Sequence, residues 1–140
     1  MPKTRLEIVT AERTVYSEEV DSIVAPGVEG ELGVLPRHAP LLTMLQPGEL
    51  RVRKGGEVLN MAITGGFIEV LSDRVIVLAD TVERAEEIDE SRADASRQRA
   101  LALLKEKRDP ADLAIAVAAL RRSQIRLKVA RRRRADLPQP

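Results

Sequence analysis

Glycine stops partway along this chain: all eight lie before Asp80, and none follows through to Pro140. Glycine serves tight turns and weakens helix interiors, so its disappearance marks a change from turn-rich to continuous backbone. From Leu6 to about Ala79, short apolar runs are broken by turn residues, the pattern of an antiparallel sandwich or barrel. Beyond Asp80, alanine, arginine, leucine and glutamate dominate, and the Asp109-Pro110 pair is the interior break, which reads as two helices and a turn. The expectation is an α+β chain: an N-terminal antiparallel β-sandwich over residues 1–84, followed by a C-terminal two-helix antiparallel hairpin over residues 85–140.

Within the first part, Leu50 and Val52 alternate with Arg51 and Arg53, and Gly55-Gly56 supplies a two-residue turn before a returning strand with Val58 and Met61. Phe67 and Val70, then Val75, Val77 and Leu78, form two further strand-like runs divided by Ser72-Asp73-Arg74. In the second part, Leu113, Val117, Leu120, Gln124 and Leu127 recur at steps of four and three, a narrow seam suited to another helix. The first helix is weaker, with Ile88, Ala95, Leu101 and Leu104 as its main apolar positions. So many small side chains bury little area, and at about 25 cal/mol per Å² that implies marginal docking. Marginal docking permits a switch.

Composition narrows the function. A 44% hydrophobic fraction excludes a wholly disordered chain, and with Tyr16 and Phe67 its only aromatics, the core must be aliphatic. The absence of cysteine removes disulfides, thiolate metal sites and thiol nucleophiles, and a single histidine makes no metal cluster. No apolar run approaches the roughly 20 residues of a membrane span, and MPKTRLEIVT lacks the order of a signal peptide, so the expectation is a soluble protein. The net charge of +1 hides a division: residues 1–82 hold 8 basic and 12 acidic side chains, residues 83–140 hold 15 and 10. The two parts face different partners, or the same ones at different times.

The segment Gly30-Glu31-Leu32-Gly33-Val34-Leu35-Pro36-Arg37-His38-Ala39-Pro40-Leu41 resembles the signature of the epsilon subunits of F-type ATP synthases, GE-(L/M)-G-hydrophobic-LP-x-H-x-P. The resemblance extends to the opening strand, to Gly65-Gly66-Phe67-Ile68-Glu69-Val70 and to Glu83-Arg84-Ala85-Glu86-Glu87-Ile88-Asp89, and so covers essentially the whole chain. It implies a β-sandwich bound to the central-stalk gamma subunit and to the c subunits of the membrane rotor ring, with a helical hairpin that folds against the sandwich or extends. It also assigns Glu31, Leu32, Gly33, Val34 and His38 to contact with the rotor ring. Without the family, Gly27, Gly30 and Gly33 fit a loop of unusual φ stiffened by Pro36 and Pro40, and His38 reads as a turn or surface histidine. No catalytic or metal-ligating residue is assigned.

Ile88-Asp89-Glu90-Ser91-Arg92-Ala93 matches the I/L-D-x-x-R-A motif that the family associates with ATP binding. Asp89 and Arg92 lie on one helical face, the guanidinium suits phosphate, and Ala93 leaves room for a ring. The competing reading is a helix N-terminus in which Asp89 caps the helix or pairs with Arg92. The resemblance adds Glu83 upstream, Arg122 and Arg126 on the second helix, and Arg99 as a further contact. No phosphate loop of the G-x-x-x-x-G-K-S/T kind occurs, so ATP is expected as a regulatory ligand and not a substrate, its Mg²⁺ dependence left open.

From Leu113 to Ala135 there are eight basic residues and no acidic one, ending in Arg131-Arg132-Arg133-Arg134. A solvated helix tail favoured by the helix dipole explains such a run. The resemblance offers a sharper reading: the extended helix meets acidic loops of the beta subunits in the alpha–beta head and blocks hydrolysis, through Arg121, Arg122, Arg126 and Lys128. The alternative from another class is a basic-helix nucleic-acid-binding module, but stacking aromatics and a reader fold are missing. The expected location is peripheral, at the cytoplasmic face of a bacterial plasma membrane, held there only through the complex.

Overall fold

The computed structural model describes residues 2–106 and 109–136, with side chains through Arg132. Two compact units divide the chain after Arg84.

The first unit is built from ten strands: β1 (Thr4–Val9), β2 (Thr14–Val20), β3 (Ser22–Gly27), β4 (Gly30–Val34), β5 (Leu41–Leu45), β6 (Gly48–Lys54), β7 (Glu57–Ile63), β8 (Gly66–Val70), β9 (Arg74–Ala79) and β10 (Val82–Arg84). They are bonded in the order β10-β7-β6-β3-β5-β8-β9-β1-β2, with β4 attached to β3 off that path. The pairings are antiparallel except β1 with β9, which is parallel.

The expected hairpin forms where alternation and turn chemistry agree: Lys54 pairs with Glu57 around Gly55 at φ 61°, and Leu50 and Val52 are fully buried while Arg53 is exposed. The returning strand buries Met61 and leaves Val58 outside. Ser72-Asp73 turns the chain between β8 and β9, closed by Leu71 N–H donating to Arg74 O at 2.8 Å. The core is aliphatic, with Leu6, Ile8, Val20, Ile23, Leu50, Ile63, Ile68 and Val77 among its buried residues and Tyr16 its aromatic member.

The last residue of this unit ties the sheet's two ends together. Arg84, on β10, donates from Nη2 to Val15 O on β2 at 2.9 Å, and its guanidinium carbon stands 5.9 Å from the centre of the Tyr16 ring. β10 and β2 are the opposite termini of the strand path, so one side chain joins its outer edges.

The second unit opens with a 3-10 turn (Ala85–Glu87), then α1 (Glu90–Lys105) and α2 (Pro110–Asp136). Both helices begin on an aspartate cap. Asp89 accepts from the Arg92 amide at 3.1 Å and Asp109 from the Asp112 amide at 3.0 Å. Pro110 therefore sits at the first helical position, where a missing N–H costs nothing. Lys107 and Arg108, within the expected turn, lie outside the described residues.

The helices pack on each other, and α2 also packs on the 3-10 turn. The seam differs from the one expected. Leu127 is buried and Leu113 and Leu120 are half-buried, but Val117 is 53% exposed and Gln124 is exposed. Ala116, Ser123 and Ala130, seven apart, are buried alongside them, as is Val129, with Ala93 and Ala100 at the same spacing on α1. Ala95 is exposed, while Leu101 and Leu104 are half-buried. Small residues let helix backbones approach closely, so alanine and serine alternate with the leucines along the buried face and the bulkier Val117 is left outside. Ser123 satisfies its buried hydroxyl by donating to Leu120 O at 2.9 Å.

Candidate functional site

In the helical unit the nucleotide candidates are spread along both helices of the hairpin. Glu90, the first residue of α1, faces Arg131 of α2 at 3.8 Å, which sets the antiparallel register. At 1.5 Å rise per residue, Arg92 lies about 3 Å down α1 from that pair and Arg126 about 7.5 Å down α2. Arg126 therefore lies about 4.5 Å, just under one turn, further from the pair than Arg92, with Arg122 a further turn along. Arg92 and Arg122 are exposed and have no side-chain partner among the described residues, whereas Arg126 is half-buried and engaged.

Several candidates already have local work. Asp89 caps α1, as the competing reading held, and Ile88 closes the preceding 3-10 turn, its N–H donating to Ala85 O at 3.3 Å. Arg99 reaches back to Ser96 Oγ at 2.9 Å on its own helix. Ala93 is fully buried, so it gives the helices room to approach and offers no surface to a ring. Glu83 lies in the other unit, half-buried on β10 opposite Ala62. Arg121 and Lys128 are exposed on α2, and the side chains of Arg133 and Arg134 lie outside the described residues.

The partner-contact candidates of the first unit follow the pleat of β4. Glu31 and Gly33 point outward, while Leu32 packs against the core and Val34, 1% exposed, is part of it. Direct contact through the Val34 side chain is thereby removed: the period of two that exposes Gly33 buries its neighbour. Arg51 stands 3.4 Å from Glu31 and 3.6 Å from Glu49. His38 belongs to the loop beyond β4, half-buried, with Nδ1 donating to Ala39 O at 2.7 Å. Arg37 before it takes φ 67°, the left-handed conformation that few non-glycine residues adopt.

One feature escaped the sequence reading. Met44, Phe67 and Leu78 are cross-strand neighbours on β5, β8 and β9, and β1 extends the row with Val9. Phe67 is 46% exposed, Leu78 52% and Met44 54%, while Ile68 and Val77 beside them are buried, so the row lies on the outer face. Leu42 adds to the patch one pleat along. Alternation was the available signal, since two apolar residues in succession, as at Phe67-Ile68 and Val77-Leu78, must face opposite ways.

Among the described residues, no group of His, Cys, Asp and Glu is arranged to hold a metal ion, and no helix is long and apolar enough to cross a membrane. Surfaces carry the distinctive chemistry of both units: an apolar row on the sandwich, and cations along a thinly packed hairpin. This is the class of subunit that acts by being bound.

Comparison with known proteins identifies which subunit class it is. Residues 3–85 match the family "ATP synthase, Delta/Epsilon chain, beta-sandwich domain", and residues 86–131 match "ATP synthase, Delta/Epsilon chain, long alpha-helix domain". The chain belongs to the ATP synthase epsilon chain family and is a non-catalytic subunit of ATP synthase. It is 56% identical to the epsilon chain of Dehalococcoides mccartyi over 96% of both chains, and 58% identical to that of Herpetosiphon aurantiacus over 93% of this chain and 96% of the relative. A chain in the cryo-EM structure of the Euglena gracilis mitochondrial ATP synthase superposes with TM-score 0.81 at 27% identity, covering 89% of this chain and 79% of that one.

Proposed function

We propose that this chain works in the central stalk of a bacterial ATP synthase, joining the catalytic head to the proton-driven rotor and restraining ATP hydrolysis through its helices. The apolar row of Met44, Phe67 and Leu78 supports docking to the gamma subunit, since an exposed contiguous patch of this kind marks an interaction surface. The exposed Glu31 and Gly33 of β4 form the contact with the c subunits, with His38 at the margin. Membrane association then comes through the complex, at the cytoplasmic face.

One observation carries the regulatory reading: most of the buried helix positions are alanine or serine, with Leu127 and Val129 the larger exceptions, while Arg92 and Arg122, exposed and without a partner among the described residues, stand one on each helix. Contact through small side chains gives little apolar area, so the closed state is weakly favoured. ATP bound by Arg92, Arg122 and Arg126, with Arg99 at the edge, neutralises like charges and stabilises closure of the hairpin. A ligand selective for one state shifts the balance by RT ln(1 + [L]/Kd), about 2.7 kcal/mol at a hundredfold excess, which reverses a weak bias. Without nucleotide the hairpin extends, and Arg121, Arg122, Arg126 and Lys128 meet acidic loops of the beta subunits beside alpha. ATP is the regulator and not the substrate of this chain.

The test is calorimetric titration of the full chain with ATP, with and without Mg²⁺, followed by Arg92→Ala and Arg126→Ala. Each substitution is expected to weaken binding about tenfold or more, as loss of a charge-assisted phosphate contact does. Equal binding by all three proteins would remove the nucleotide site. Truncation after Asp109 separates the inhibitory arm: unchanged ATP hydrolysis by the assembled enzyme would refute it.

A further inference from the structure

The end of the sandwich away from the β3–β4 turn holds a depression of about 630 Å³, lined by Pro2, Asp21, Ser22, Leu35, Pro36 and Arg53. Strand register gathers these residues from separate stretches of chain. Thr4 at the start of β1 pairs with Val20, which carries Pro2 toward Ser22; Ser22 pairs with Arg53 of β6, and Ile23 with Val34, so Leu35 leaves β4 beside the same spot. Gly27 pairs with Gly30 at the opposite end of that hairpin, and the lining shares no residue with the face of Glu31 and Gly33. The volume falls in the range of small-ligand sites, roughly 300–1,000 Å³.

Its chemistry has two halves. Leu35 is 65% exposed just past the end of β4, an apolar side chain that the fold leaves in water although Val34 before it is buried. Pro2 and Pro36 extend the apolar surface and, lacking an amide proton, offer no backbone donor. Cations border it: Arg53 in the lining, Lys3 next to Pro2 and Arg37 next to Pro36 are all exposed and without a side-chain partner among the described residues. Arg37 is held at φ 67°, a strained torsion of the kind that clusters at ligand clamps. Asp21 is the one carboxylate in the lining, and it is engaged, its Oδ2 accepting from the Gly55 amide at 2.7 Å.

We infer that this depression takes an anionic phospholipid of the facing leaflet, with Leu35 in the upper acyl region and Arg53, Arg37 and Lys3 around the phosphate. Free cations around exposed apolar surface complement that chemistry: an acidic segment answers the cations and not Leu35, and a neutral apolar partner covers Leu35 while stranding three charges. The inference rests on the reading that the complex holds the chain at the cytoplasmic face of the membrane, and adds to that attachment a contact of the chain's own. Each basic side chain near an anionic surface is worth about fivefold in affinity, so the lipid steadies a subunit that other contacts hold.

The full chain is mixed with vesicles of phosphatidylcholine alone, and of phosphatidylcholine with an equal part of phosphatidylglycerol, and binding is read by co-sedimentation. Because α2 is also basic, variants of equal charge change are compared: Arg53→Ala against Arg13→Ala, which lies on the β1–β2 turn at the far end of that hairpin. Binding to the phosphatidylglycerol vesicles is expected to fall about fivefold in Arg53→Ala and about tenfold in Leu35→Ser, which alters no charge, with Arg13→Ala at wild-type affinity. Both altered side chains are exposed, so Tm stays within about 2 °C. The chain has no tryptophan, so Leu35→Trp supplies an optical probe whose emission should shift to the blue on those vesicles and be quenched by brominated acyl chains. Equal losses in Arg53→Ala and Arg13→Ala with none in Leu35→Ser assign the binding to diffuse charge and overturn the inference. An unshifted emission overturns it as well, as does Leu35-dependent binding of polyglutamate without vesicle binding, which gives the surface to an acidic protein. Purified rotor ring in detergent is the separate arm: ring binding without vesicle binding overturns this inference and leaves the ring contact standing, and vesicle binding without ring binding does the reverse.

Discussion

Gly66 and Gly33 both lie on strands, yet torsion and space demand a glycine only at Gly66. Gly66→Ala forces a Cβ onto the Leu78 carbonyl in a backbone conformation that L-residues avoid, and is expected to cost about 2–4 kcal/mol by denaturant unfolding. A second prediction at this scale uses the chain's one tyrosine. Burial pushes the Tyr16 phenol up to about 12, with the Glu18 carboxylate beside it adding to the effect. Because the folded state holds that proton more tightly, the stabilisation is complete below pH 10.0, the ordinary tyrosine value, and is lost as pH rises toward 12. Tyrosinate absorbance during alkaline titration should therefore appear late and together with unfolding, whereas the urea-unfolded chain titrates near the ordinary value. Glu18 moves the other way, held below the usual carboxylate range by Lys54, whose ammonium lies 2.9 Å away. Individual glycines looked alike in the sequence because a need for positive φ, a need for space and a need for neither leave the same letter.

Elements differ in how far local pattern specifies them. β6 was legible because its alternation and the turn glycines after it agree, and that turn placed the returning strand β7. The helices were legible too, from their composition and the Asp109-Pro110 start, but the face they share was not. Steps of four and three found Leu113, Leu120 and Leu127 but also led to Val117 and Gln124, where close helix contact instead buries Ala116, Ser123 and Ala130. Ala116→Leu should thus wedge the helices apart at about 1–3 kcal/mol, the usual cost of overpacking, while Gln124→Leu should leave helix protection in hydrogen exchange unchanged. Val34 teaches the same lesson on a strand: a motif marks a segment, but the pleat decides which of its side chains reach the surface. The nucleotide candidates were legible as residues through family likeness. Their division between capping, packing and open cation depends on side-chain partners that spacing does not reveal.

At the scale of the whole chain, Arg84 is the feature that no local pattern could disclose, since the carbonyl it binds belongs to Val15, 69 residues earlier. Arg84→Ala should lower the stability of the full chain by about 1.5–3 kcal/mol, the range for a hydrogen bond to a charged group, as read by denaturant titration. Arg84→Lys should recover only part, because an ammonium lacks the planar fork that reaches a carbonyl while lying over a ring. The residue that closes the strand path is also the one after which the chain enters its helical unit, with Ala85 already inside the 3-10 turn. A load applied to the end of β10 therefore arrives at a fastened staple, and the last strand cannot peel from the sheet without giving up both the Val15 carbonyl and the face of Tyr16.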